Sequence, residues 1–179
     1  MGAICYTLLE NQNELTDFDC GNESINKLVS DSFYPHILKQ RQVHKLSYAG
    51  YRVGFYSVSV AGISLEESDA PVADYYASTP SFAAIVLNYL AVDKIVQGNG
   101  IGSAALKHII AEARALYAAW PVRLLILDAL RSKLSWYLQH GFALLNQADM
   151  NGTSETVRMY LDLMPEEEKD IINELYYYE

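Results

Sequence analysis

Residues 87–111 read LNYLAVDKIVQGNGIGSAALKHIIA. The first six are nearly all apolar, as in a strand covered on both faces. The chain then turns at Gln97-Gly98-Asn99-Gly100-Ile101-Gly102, and Ala104, Ala105, Leu106, Ile109 and Ile110 follow with the spacing of an apolar helix face. A strand, a glycine-rich turn and a helix together aim several backbone N–H groups, and the positive end of a helix, at one bound anion. Gly98, Gly100 and Gly102 carry no side chain, so phosphate oxygens could approach the backbone. The spacing is neither that of a dinucleotide fingerprint, which wants glycine where Ser103 stands, nor that of a triphosphate loop, which wants lysine after Gly102.

Outward from this stretch the pattern alternates. Strands are expected at 4–10, 43–47, 52–65, 83–92, 122–127, 142–145 and 157–163. Gly54 and Gly62 are candidate bulge positions. A helix capped by Asn22 is expected to run to about Pro35, with a second short helix or irregular basic segment at 36–42. Further helices are expected at 103–117 and 131–139, the second ended by His140-Gly141. Pro165 with Glu166 and Glu167 marks a last helix start. Strands on both sides of two long helices predict an α/β fold, a mixed sheet with helices on its faces. The expected organisation is one domain over 1–164 and an acidic, aromatic helix or tail over 165–179.

The chain has 179 residues, 51% of them hydrophobic and 20% charged, with net charge −9. It reads as globular, and that charge excludes a general nucleic-acid coat. Glu66, Glu67, Asp69, Asp74 and Asp93 fall in a stretch without Lys or Arg, whereas Lys39, Arg41, Lys45 and Arg52 cluster with His36 and His44. No apolar run is long enough to cross a bilayer. Met1-Gly2-Ala3-Ile4-Cys5 has no basic region, so no secretory signal is expected. Cys5 and Cys20 alone suggest a reducing, cytoplasmic compartment. His36, His44, His108 and His140 lack metal-ligand spacing, and no metal is expected.

Four features stand in one order: the strand at 85–92, the Gln97-x-x-Gly100-x-Gly102 turn, the strand at 124–127 ending at Asp128, and Trp136-Tyr137-x-x-x-Gly141-Phe142. In this order they resemble the GCN5-related N-acetyltransferase family over nearly the full chain. The resemblance implies a mixed, mostly antiparallel twisted sheet flanked by helices, and acetyl-coenzyme A as co-substrate. The pantetheine arm would lie along the backbone of Leu90, Ala91 and Val92. The pyrophosphate would lie on Gln97, Gly98, Asn99, Gly100, Ile101, Gly102 and Ser103. Tyr137 would stabilise or protonate the departing thiolate. No residue is singled out as a general base, and an α-amine, with a pKa of about 7.7–8.0, needs little help to lose its proton near pH 7.

Phe18-Asp19-Cys20-Gly21-Asn22-Glu23 and the strand Val53-Gly54-Phe55-Tyr56-Ser57-Val58-Ser59 resemble the toxin-type branch of that family. This implies transfer to the α-amine of aminoacyl-tRNA and a ribbon-helix-helix antitoxin as partner. A homodimer is a separate expectation: Ile171, Ile172 and Leu175 are candidates to dock the last helix on the body or on another subunit. The acidic balance supports a second reading, transfer to a small amine, peptide or protein. A third reading is a non-catalytic interaction module built on the same fold.

Overall fold

The structure is a computed structural model that describes residues 3–64 and 81–177. The acidic stretch at 66–74 lies outside these residues. The chain divides into two compact units, one of Met1–Ala61 with Ile85–Ile110 and one of Gly62–Ala84 with Ala111–Glu179. The fold class is the expected one, α/β with a mixed, mostly antiparallel twisted sheet flanked by helices.

In the first unit, β1 (Ile4–Leu8), β2 (Gln42–Tyr48), β3 (Tyr51–Ser64) and β4 (Ser81–Val92) lie in that order across the sheet. The β2–β3 hairpin closes through Ala49 (φ +50°) and Gly50 (φ +83°), a two-residue turn with both residues left-handed. Such turns match the natural twist of paired strands. Its register slips between Leu46 and Ser47, which oppose Gly54 and Arg52, so Val53 is the extra residue of a bulge. The irregularity thus adjoins Gly54, where it was expected.

Two helices precede β2. Asn22 caps α1 (Glu23–Ser30), its side-chain oxygen accepting from the Ile25 N–H at 3.0 Å. The helix does not continue to Pro35. It ends at Ser30, and α2 (Phe33–Ile37) begins three residues later with Pro35 in its first turn. The missing proline N–H has no intrahelical partner there in any case. The core of the unit gathers Leu9, Leu15, Val29, Val43, Phe55, Tyr89 and Ala91, with Phe18, Cys20, Ile25 and Phe33 packed against them. His36 is buried in the same region. The Val43 N–H donates to its Nδ1 at 3.1 Å, so the ring proton sits on Nε2, which donates to the Leu9 carbonyl at 3.0 Å. This histidine joins the end of β1 to the start of β2.

β3 lies against the end of β4 at Gly54. A Cβ there would stand 2.3 Å from the Ala91 carbonyl oxygen and 3.2 Å from the Val92 Cα. Immediately after, the Asp93 N–H donates to the Val53 carbonyl at 2.9 Å. The bulge and the absent side chain together let one backbone settle against the last residues of the other.

After β4 comes α3 (Ile101–Ala119), which ends before Trp120-Pro121. In the second unit β5 (Leu124–Leu130), β7 (Thr156–Asp162) and β6 (Ala143–Leu144) are antiparallel neighbours. Leu124 to Leu127 are buried in succession, whereas β7 alternates buried Val157, Met159 and Leu161 with more exposed partners. The expected helix at 131–139 is a single 3-10 turn, Arg131–Lys133, followed by α4 (Leu134–Gln139), and Gly141 (φ +87°) follows it.

α5 (Glu166–Tyr177) begins after Pro165 as expected. Tyr117 donates to Glu168, and Lys169 lies 3.6 Å from Asp162. Asp162 receives a two-pronged bond from Arg123 at 3.0 and 2.9 Å. Burial, the largest single influence, would raise the Asp162 pKa; the Arg123 fork, the Met164 N–H and Lys169 together outweigh it and hold the carboxyl below its ordinary range. Ile171, an expected docking residue, is exposed, while the side chains of Ile172 and Leu175 and the tyrosines at 176–178 lie outside the described residues.

The Gly54 contact gives a direct test. Gly54→Ala pushes a methyl into backbone that cannot rotate away. The variant should lose about 1–3 kcal/mol, the usual cost of overpacking, measured by urea unfolding. Gly62→Ala, where an added Cβ meets nothing within 4 Å, should change stability far less.

Candidate acyl-coenzyme site

β4 delivers the chain to the glycine turn. Asp93 caps a 3-10 turn, Lys94–Val96, by accepting from the Ile95 N–H at 3.0 Å. Gln97 follows in extended conformation, then Gly98 at φ +80° and Gly100 at φ +78°. Side chains rarely adopt that backbone, which is the local reason for glycine. An added Cβ at either position would meet no protein atom within 4 Å. The space over both glycines is open. Asn99 braces the turn from inside, its amide donating to the Val96 and Gln97 carbonyls at 3.1 and 3.3 Å.

α3 starts two residues earlier than expected. The Ala104 N–H donates to the Gly100 carbonyl at 3.0 Å, the first bond into the helix. The N–H groups of Ile101, Gly102 and Ser103 therefore precede any intrahelical acceptor. They form the positive end of a 19-residue helix. Gly98 to Ser103 are thus brought together as a short glycine-rich arc of backbone N–H groups.

Other expected site residues have partners of their own. Gln97 spends both amide protons, on the Cys20 and Val92 carbonyls at 2.8 Å each. Its NH2 group holds the turn to the end of β4 and to the segment before α1. Ala91 is buried, and Leu90 and Val92 are half-buried.

Tyr137 belongs to the second unit. Its ring stands edge-on to Trp136 at 4.8 Å and to Phe142 at 5.6 Å between centroids. Among the described residues its hydroxyl makes no hydrogen bond. Burial pushes the phenol up to about 12. At neutral pH it keeps its proton and has an O–H to donate.

The basic cluster at 39–52 looks different once folded. Lys45 pairs with Glu14 at 2.6 Å. Arg52 donates to the backbone carbonyls of Glu14, Thr16 and Asp17 at 3.0, 2.6 and 3.1 Å, and its guanidinium lies 5.6 Å from the Phe18 ring and 5.8 Å from that of Phe55. These two cations hold the 14–18 segment onto the sheet. Lys39 is exposed and left-handed at φ +60°.

Some site-forming contacts carry no local sequence signal. The Tyr89 hydroxyl donates to Ser32 Oγ at 2.9 Å, which in turn donates to the Val29 carbonyl at 2.6 Å, tying β4 to the junction of α1 and α2. Nothing short of the fold places residues so far apart in the chain together.

Solved structures with this architecture span nearly the whole chain. A bacterial toxin superposes with a TM-score of 0.72 at 18% identity, over 98% of this chain and 97% of that one. AtaT complexed with acetyl-methionyl-tRNAfMet superposes at 0.72 and 19%, over 95% and 99%. The chain has the GCN5-related N-acetyltransferase fold. A tyrosine-to-phenylalanine mutant of KacT superposes at 0.71 and 20%, over 87% and 93%. No protein-family model and no curated protein sequence matches the chain. Among the described residues no helix is long and apolar enough to cross a membrane, and no three His, Cys, Asp or Glu side chains group as metal ligands would.

The packing of Arg52 sets a second test. Arg52→Ala removes three hydrogen bonds to backbone carbonyls and two cation–π contacts. It should lower stability by about 1–3 kcal/mol in urea unfolding. Lys39→Ala, at an exposed position, should leave the unfolding midpoint nearly unchanged.

Proposed function

We propose that the protein is an N-acetyltransferase that moves an acetyl group from acetyl-coenzyme A to a primary amine by direct attack. The observation that carries this reading is the arc from Gly98 to Ser103. Two left-handed glycines face open space and run into the free N–H groups of a long helix. That arrangement suits a pyrophosphate, whose oxygens need several donors and no intruding Cβ. The fold shared with AtaT, which has been seen bound with acetyl-coenzyme A, supports the same assignment.

In this reading Leu90, Ala91 and Val92 offer the backbone of the last part of β4 to the pantetheine arm, and Gly98 to Ser103 hold the pyrophosphate. The neutral amine attacks the thioester carbonyl carbon, a C–N bond forms, and the C–S bond breaks with the electron pair leaving on sulfur. The attacking nitrogen, cationic once bonded to the acyl carbon, releases one proton to solvent, so the products are the amide, the coenzyme A thiolate and that proton. Tyr137, held protonated, donates a hydrogen bond to the sulfur as its charge develops. A phenol at about 12 is too weak an acid to acidify its surroundings, and its value lies in being a donor at every physiological pH.

The acceptor we propose is the α-amine of an aminoacyl-tRNA, on the likeness to AtaT complexed with acetyl-methionyl-tRNAfMet. An antitoxin partner follows from the same likeness, since AtaT is also known bound to the C-terminus of the antitoxin AtaR. A second reading, a small cationic amine or peptide, is favoured by the net charge of −9 and by the internal use of Lys45 and Arg52.

Titration calorimetry should detect acetyl-coenzyme A, and Gly100→Val should weaken it at least tenfold while the protein stays folded. Absence of binding by the unaltered protein would remove the enzyme reading in favour of an interaction module. With labelled acetyl-coenzyme A, label should pass to charged total tRNA and fade as salt rises; transfer to amines or peptides alone would select the second acceptor. Tyr137→Phe should slow turnover about 10²–10³-fold with little change in coenzyme affinity. The rate should rise with pH through the amine pKa of about 7.7–8.0 and then hold level past pH 10, because the raised Tyr137 keeps its proton up to about 12. A fall in rate near pH 10 would mean that an ordinary tyrosine is titrating.

A further inference from the structure

The N-terminal flank of the glycine turn has no buried apolar anchor. The 3-10 turn Lys94–Val96 contains no buried residue, and Ile95 is 84% exposed. Its restraints are polar. The Lys94 N–H donates to the Asp19 carbonyl at 2.9 Å, and the Lys94 ammonium meets Asp19 Oδ2 at 2.5 Å. The Gln97 amide reaches the Cys20 carbonyl at 2.8 Å. Two consecutive residues, Asp19 and Cys20, thus receive three bonds from the turn that leads into Gly98.

Asp19 and Cys20 are themselves fixed. Asp19 Oδ1 accepts from the Gly21 N–H at 2.7 Å and from the Asn26 amide at 2.8 Å, and Asn26 Oδ1 accepts from the Cys20 N–H at 2.9 Å. Gly21 stands at φ +78°, and a Cβ there would lie 3.9 Å from that of Lys94. Each Asp19 oxygen has a separate task. One shapes the loop before α1, and the other holds Lys94.

We infer that Asp19 is a positioning residue for coenzyme binding: with Asn26 behind it and Lys94 in front, it clasps the turn so that the N–H groups of residues 98–103 converge. This rests on the acyl-coenzyme reading of the turn. It also gives the Phe18-Asp19-Cys20-Gly21-Asn22-Glu23 stretch a physical role. The Lys94 hydrogen bond, then those from Gly21 and Asn26, hold the Asp19 carboxyl well below the usual carboxylate range, so the clasp is charged throughout the neutral range. Lys94, the only cation between Val53 and Lys107, is committed to Asp19 and is not a phosphate ligand.

The test uses Asp19→Asn, Lys94→Met and the double variant. Each single change should weaken acetyl-coenzyme A binding about fivefold, which is what a half-exposed charged pair can supply. The double variant should be no worse than the poorer single, since both changes break one contact. The Michaelis constant for the coenzyme should rise with kcat kept within twofold, a split that general loss of structure would not produce. Amide exchange at 96–102 should quicken in all three variants, while the interior of α3 around Leu106 keeps its protection. If Lys94→Met weakens binding and Asp19→Asn does not, Lys94 is itself a phosphate ligand and the inference fails. Unchanged affinity and unchanged exchange in both variants would also overturn it. Should the unaltered protein not bind acetyl-coenzyme A, the functional reading falls separately, and exchange at 96–102 alone decides the clasp: quickened, it stands; unchanged, it fails.

Discussion

No side-chain carbon can occupy the place where the Ala91 carbonyl oxygen lies against Gly54. At 2.3 Å the contact is far inside any tolerated separation, and the blocking atom is backbone. The bulge at Val53 turns its carbonyl to the Asp93 N–H, so β3 grips β4 at the point where β4 ends. The direction in which the chain leaves β4 follows from that grip, and with it the placement of the turn and the start of α3. A glycine with an ordinary φ can thus matter as much as one in a left-handed turn. Its role is to leave room for a neighbouring strand.

Around this backbone frame, several charged residues act as internal fasteners. Arg52 closes three carbonyls of the 14–17 segment and covers two aromatic rings. Arg123 forks onto Asp162, and Arg131 donates to the carbonyls of Asp149, Met150 and Ser154. Guanidinium groups suit this work because their donors are planar and fixed. A tally of basic residues therefore overstates the positive surface available to a nucleic acid. Lys45 and Arg52 lie in the one basic cluster of an acidic chain, yet both point their charge at residues of the same chain.

The glycine turn joins two kinds of order. Its C-terminal side is a long helix, made rigid by its own hydrogen bonds. Its N-terminal side is an exposed 3-10 turn held by Asp19, Cys20 and Gln97. The left-handed glycines absorb the change of direction between them and leave open space where a side chain would stand. Tyr137 is prepared differently. Aromatic neighbours remove it from water, and burial keeps its proton in place.

Much of this was legible in the residues alone because it is local. Glycines at 98 and 100, an apolar run before them and an apolar face after them suffice for strand, turn and helix. Asn22 announces its own cap, and the strands expected at 43–47 and 52–65 leave only a short stretch for the turn between them. The end of α1 was misplaced, since Pro35 reads as a stop although proline is harmless in a first helical turn. The start of α3 was placed late because glycine disfavours helix, whereas the first turn needs no inward N–H. The destinations of Arg52, Lys45, Gln97 and Asp19 were not legible. Their partners lie far away in the chain, and no periodicity records how far a side chain will reach. Local conformation is written in neighbouring residues, so the sequence by itself determined the strand–turn–helix order and the turn chemistry. Which charges are spent inside the protein, and which strand presses on Gly54, only the tertiary structure decided, because those contacts exist once distant segments share one core.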